Sequence, residues 1–233
     1  MSKRTMVYID GFNLYFGMRD SGWKRYYWMD IGRFGRGLAT GDREVVGVKY
    51  FTARVAAPPD QVRRQVTFLE ANQIVGGCKM YFGRYQRDPY QCRHCGARSV
   101  APHEKATDVF LAVELLTDAV SNTFDGAILV SADADYAPVI RRVRELFPEK
   151  FIVVGQPPRR MSSELQRTAN GSFRISEEML RRSQLPEAVT KPDGFVLRRP
   201  SRWSKNYHRG HIRQIRTLPT IGPDRLRQPW VHF

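Results

Sequence analysis

Apolar residues in this chain fall into short continuous runs set between longer stretches of helical spacing. Met6-Val7-Tyr8-Ile9, Glu44 to Val55, Cys78 to Tyr85, Ala127-Ile128-Leu129-Val130 and Phe151-Ile152-Val153-Val154-Gly155 read as strands, with Phe173-Arg174-Ile175 as a short sixth. Helices are expected between them. The first begins near Asn13 with Leu14, Tyr15, Phe16 and Met18, and the second is capped by Asp30 and runs through Ile31, Phe34 and Leu38. Pro58-Pro59-Asp60 opens the third, which reaches Gly76-Gly77 through Val62, Val66 and Leu69. Glu104 to Val120 is apolar almost all round and predicts a substantially buried helix. Three more follow: one from Tyr136 through Ile140, Val143 and Leu146, one from Ser162 to Ala169, and one from Ser176 to Arg182. Strands alternating with helices predict an α/β fold with a mostly parallel sheet and right-handed crossovers.

Two stretches break the pattern. Residues 86–103 are rich in Pro, Arg and Gly around Cys92-Arg93-His94-Cys95-Gly96, an expected small insertion in a main domain spanning 1–185. Residues 186–233 form an expected basic, largely irregular extension; from Lys191 on, 10 basic residues face 2 acidic ones, with five prolines and no periodicity.

Charge sharpens this picture. The 233 residues carry a formal +15, and residues 151–233 alone hold 16 basic against 6 acidic side chains. That balance favours an acidic polymer, most simply nucleic acid, over a small neutral metabolite. Three cysteines make no disulfide framework and suit a reducing compartment. Met1-Ser2-Lys3-Arg4-Thr5 leads into a short strand rather than a leader, and no apolar run approaches the ~20 residues of a membrane helix. A cytoplasmic protein without a membrane segment is expected.

The candidate chemistry lies where strands end. Leu129-Val130-Ser131-Ala132-Asp133-Ala134-Asp135-Tyr136 runs from an apolar strand into two carboxylates one residue apart. The carboxyl ends of parallel strands are where open α/β sheets place ligands. Two like charges held close there ask for a cation, and a divalent metal is the simplest. Tyr8-Ile9-Asp10-Gly11-Phe12-Asn13 repeats the arrangement, with Asn13 able to donate to a phosphate or hold a water. Taken singly, Asn13, Asp133 or Asp135 would serve as a helix cap. Asp108 follows Glu104 by four residues, which places both on one face of the expected helix. Arg159 and Arg160 precede a helix start, a place that suits an anion such as a phosphate. Cys92 and Cys95 supply half a zinc site, and a closed one needs four ligands. Cys78, His94 and His103 are the available additions: Cys78 reads as strand packing and His94 is constrained by its turn. A remnant knuckle without Zn²⁺ is expected, with Cys92, Cys95 and His103 as the set if zinc binds.

Tyr8 to Tyr15, Glu104 to Val109 and Leu129 to Tyr136 together resemble three ordered motifs of the NYN domain family, in its LabA-like branch, within the PIN-like nuclease superfamily. The resemblance covers roughly residues 5 to 185. It implies a Rossmann-like three-layer sandwich and, in active members, metal-dependent cleavage of RNA. Carried over, Asp10, Asp108, Asp133 and Asp135 match the acidic cluster that holds one or two Mg²⁺ or Mn²⁺ ions. Asn13 matches the asparagine of the first motif and Ser131 the hydroxyl residue before the acids, with Glu104 as further support. Ala132 stands where relatives often carry Gly.

The leading expectation is a metal-dependent endoribonuclease. A second is an RNA-binding or scaffold protein that keeps the fold without cutting. A third, a metal-dependent phosphatase, is weakened because Phe12 occupies the position where such enzymes need a second aspartate.

Overall fold

The computed structural model describes residues 3–91, 96 and 98–204, and of residues 85–91 and 98–105 the backbone alone. In chain order the elements are β1 (Lys3–Asp10), α1 (Gly11–Asp20), α2 (Ile31–Arg36), β2 (Arg43–Ala53), α3 (Pro59–Val75), β3 (Lys79–Gln91), β4 (Arg98–Lys105), α4 (Thr107–Val120), β5 (Gly126–Val130), α5 (Ala137–Leu146), β6 (Phe151–Gln156), α6 (Ser163–Thr168), β7 (Gly171–Arg174), α7 (Glu177–Arg182), β8 (Ala188–Thr190) and β9 (Val196–Arg198). Seven strands form one sheet in the order β4-β3-β2-β1-β5-β6-β7. Six of them, β3 through β7 in that order, run parallel; β4 lies antiparallel to β3.

Side-chain alternation explains the layers. Met6 and Tyr8 of β1 face one side with Ala127 and Leu129 of β5, under Leu111 and Leu115 of α4 and Ile140 and Val143 of α5. Val7, Ile9, Ile128 and Val130 face the other, against Leu14 and Met18 of α1, Phe34 of α2, Leu69 of α3 and Leu180 of α7. The central strands are therefore buried on both faces, which is why they read as unbroken apolar runs. The strand order reverses between β1 and β5. At that switch the connections leave in opposite directions, and a crevice opens beyond the strand ends.

Four expectations change here. Glu104 belongs to β4, and α4 starts at Thr107 after Ala106 takes a left-handed φ of 72°, so Glu104 and Asp108 share no helix face. Helix α4 is also less covered than its composition suggests. Val109, Phe110, Val113 and Val120 are exposed, because only the Leu111–Leu115 side meets the sheet. The backbone of the irregular stretch 86–103 extends β3 and pairs it with β4 from Arg84↔Lys105 to Gln91↔Arg98. Finally, the extension after residue 185 begins as a hairpin: β8 pairs with β9, and Val189 and Leu197 are buried with Trp28, Ala71 and Leu185. Strands of three residues are too short to show a period. Residues 205–233 lie outside the described residues.

Candidate functional site

Asp10 ends β1 and caps α1, its Oδ1 accepting from Asn13 N at 3.0 Å. Gly11 is required beside it: a Cβ there would lie 2.6 Å from the Tyr50 ring and 2.7 Å from the Phe51 carbonyl oxygen. Across the switch point, β5 runs out into Ser131, whose Oγ donates to Asp10 Oδ2 at 3.0 Å and accepts from Asp133 N at the same distance. Asn13 Oδ1 accepts from Ala132 N at 3.2 Å. Two strand ends are thus stitched together by one hydroxyl and one amide. Asp133 caps the short 3-10 turn Ala134–Tyr136 by accepting from Asp135 N at 3.1 Å.

Tyr136 completes the crevice. Its ring is buried, and its hydroxyl donates to Asp108 Oδ1 at 2.7 Å while lying 3.5 Å from Asp10 Oδ2. Asp108 comes from the first turn of α4 and is otherwise exposed. Burial, together with the negative charge of Asp10, Asp108 and Asp133, pushes the Tyr136 phenol far up, so it remains a donor. The same crowding acts on Asp10. Burial pushes its carboxyl up to about 6, reinforced by the charges of Asp108 and Asp133 and opposed by the hydrogen bonds from Asn13 and Ser131.

The structure brings Asp10, Asn13, Asp108, Ser131 and Asp133 to one crevice. Asp135 stands at its rim, exposed, its backbone rather than its carboxylate joined to the network. Arg160 is spent on Asp20 at 3.5 Å and over the Phe16 ring; Arg159 is exposed in a left-handed turn at φ 55°. Of these two, Arg159 is the one open to a phosphate. Cys78 packs against the α1 face of the sheet and burial pushes its thiol up to about 11, as packing rather than ligation requires. Cys92, His94 and Cys95 lie outside the described residues, as do the side chains of His103 and Glu104. Tyr136 is the residue that sequence reasoning passed over. Its place in the sequence marks only a helix start, because its hydroxyl meets Asp10 and Asp108 rather than the two acids that precede it in the chain.

The donors suit a hard divalent ion: all are oxygens and the charge is in excess. Among the described residues no three of His, Cys, Asp or Glu converge as a closed cage, since Tyr136 separates Asp108 from Asp10 and Asp133 is turned to its cap. Mg²⁺ needs no cage. It keeps several waters and uses one or two carboxylates plus a substrate phosphate, which Asp10 and Asp108 can supply.

The protein is thus an open α/β sheet with acids gathered at its switch point. The NYN domain family's sequence profile matches residues 4–177, and the chain belongs to that family. It is similar to 6-hydroxy-3-succinoylpyridine 3-monooxygenase HspA of Pseudomonas putida (strain DSM 28022 / S16), at 28% identity over 60% of this chain. It spans about half of that relative, 55% of its length. Its fold matches the crystal structure of a protein of unknown function from Vibrio parahaemolyticus RIMD 2210633, with a TM-score of 0.50 and 24% identity over 76% of this chain and 95% of that one. Among the described residues no helix is long and apolar enough to cross a membrane.

Proposed function

We propose that the protein is a metal-dependent endoribonuclease that hydrolyses RNA phosphodiester bonds at the crevice between β1 and β5. The observation that supports this most is the meeting of Asp10 and Asp108 at one tyrosine hydroxyl, with the negative charge of Asp133 beside them and no lysine or arginine among the described side chains bonded to them. When bound, one or two Mg²⁺ or Mn²⁺ ions would neutralise the phosphate and make a water acidic enough to attack it. Asp10 and Asp108 would hold them, with Asp133 and the rim carboxylate Asp135 reached by rotation. Ser131 fixes the Asp10 carboxylate and, through Asp133 N, the loop after β5. Asn13 spends its Oδ1 on Ala132, which leaves its amide nitrogen to donate to a phosphate oxygen. Tyr136 holds Asp108 toward the crevice and stays protonated throughout. The basic surface holds the strand by its phosphates.

The test is cleavage of a labelled single-stranded RNA by wild type and Asp10→Asn with Mg²⁺, Mn²⁺ or EDTA, alongside RNA binding and thermal melting with each ion. Metal-dependent cutting and metal-induced stabilisation, both lost in the variant, are expected. RNA binding without cutting by either protein would turn the reading to a scaffold.

A further inference from the structure

On the opposite face of the sheet from Tyr136, at the same carboxyl ends, a cavity of about 340 Å³ opens between α1 and α3. Its wall begins with Gly11 and Phe12, the two residues after Asp10. From these residues we infer that the cavity is a nucleotide subsite, taking an unstacked base and the adjoining phosphate of the strand that lies across the acidic crevice. This rests on the nuclease reading for its placement of the strand.

Three features carry the inference. The first is an aromatic wall. Tyr15 and Tyr27 stand 4.8 Å apart between ring centroids, and Tyr27 and Phe68 meet the Trp203 indole nearly at right angles, at 85° and 80°. Rings fixed against one another stack on a base at little further loss of freedom. The second is charge. Arg19, Lys24, Arg64 and Arg202 border the cavity. Arg64 and Arg202 share the single carboxylate of Asp60, at 2.5 and 3.2 Å, and Lys24 has no carboxylate partner among the described residues. The mouth therefore has positive charge to spare for a phosphate. The third is a small polar complement. Gln65 is spent on Ala53 O and Val55 N, but Gln61 and Thr52 make no side-chain hydrogen bond among the described residues and face the same space. A pocket of a few hundred Å³ with aromatic and aliphatic walls and polar groups placed among them is the build of a small planar ligand site.

The roof is supplied by the C-terminal extension. Trp203 packs on Tyr27, Trp28 and Phe68, and Arg199 ties the segment down through Trp203 O at 2.9 Å and through the carbonyl of Arg25. Trp203 lies beyond the family's matched residues 4–177. The roof, Arg202 and Trp203, is thus an addition to a cavity whose other walls fall within the matched residues.

The experiment titrates each nucleoside 5′-monophosphate into the full chain in EDTA, by calorimetry and tryptophan fluorescence, with Lys24→Glu and the cavity-filling Gln61→Trp alongside. Thermal melts check that both variants fold. Saturable binding by wild type is expected, weakened about tenfold in Lys24→Glu and lost in Gln61→Trp. No binding at millimolar nucleotide, binding unchanged in both variants, or preference for 6-hydroxy-3-succinoylpyridine over every nucleotide would overturn the subsite. If RNA is then still cut with Mn²⁺, the nuclease reading survives without it. Mononucleotide binding lost in the variants, with RNA left whole, would keep the subsite and remove the nuclease.

Discussion

Helix α4 crosses two clusters of acids, and they are built differently. Near its C-terminal end, Asp118 and Glu114 both accept from Lys49 Nζ, at 2.6 and 2.7 Å, while Tyr8 and Tyr81 donate one hydroxyl to each. Near its N-terminal end, Asp108 shares Tyr136 with Asp10, and no lysine or arginine among the described side chains bonds to either. With its own cation inside, the first cluster holds Glu114 below the usual carboxylate range, although burial alone would raise it. Without one, the second pushes Asp10 up to about 6. A tyrosine hydroxyl orients a carboxylate but cannot neutralise it. The difference separates a network neutralised from within from one that, on the nuclease reading, would take its cation from outside.

Breaking the internal pair should have the largest effect on stability. Lys49→Met leaves Asp118 and Glu114 beneath α4 without their cation, and urea unfolding should show a loss of about 3 kcal/mol or more. Its acidic crevice should still respond to metal.

Asp10→Asn should act in the opposite sense. The Asp10 carboxyl is raised from 3.8 to about 6 on folding, so the folded chain binds the proton more tightly than the unfolded one. Stability therefore falls as pH rises from about 4 to 6, and the penalty is complete above that range. In EDTA at pH 7, Asp10→Asn should be more stable than wild type by up to about 3 kcal/mol, a gain that vanishes below pH 4. Unfolding curves at both pH values check it. RNA cleavage by the same variant should fall to background.

Metal should erase that gain. Mn²⁺ at ~100 times its dissociation constant stabilises by about 2.7 kcal/mol, and thermal melts should show this for wild type and Lys49→Met but not for Asp10→Asn. The smallest effect belongs to Tyr136→Phe. Loss of the hydroxyl should cost about 1 to 2 kcal/mol in urea unfolding and, by freeing Asp108 to turn outward, reduce cleavage more than RNA binding. Equal losses in cleavage and binding would show Tyr136 acting on the fold alone.

Much of the fold was legible because burial on both faces forces unbroken apolar strands, and the seven helices follow from caps and spacing. The crevice was partly legible for a related reason. Asp133 is at once a cap and a candidate site residue, so the local signal and the proposed role coincide there, while at α1 the structure makes Asp10 the cap in place of Asn13. Glu104 was misplaced because a left-handed residue at Ala106 separates it from α4, and nothing in the composition of Glu104–Asp108 marks that break. The β8–β9 hairpin was missed because its order comes from burying Val189 and Leu197 against Trp28, some 160 residues away in sequence.

The sequence by itself determined the α/β alternation, the basic surplus and the acids at two strand ends, since each is written in neighbouring residues. Only the tertiary structure decided which acids meet, that Tyr136 stands between them while Lys49 serves the other cluster, and that Trp203 closes a cavity beside Asp10. Those relations join residues 28 or more positions apart or sit on opposite faces of the sheet. Local pattern carries no record of them, because packing, not spacing along the chain, sets the distance between their side chains.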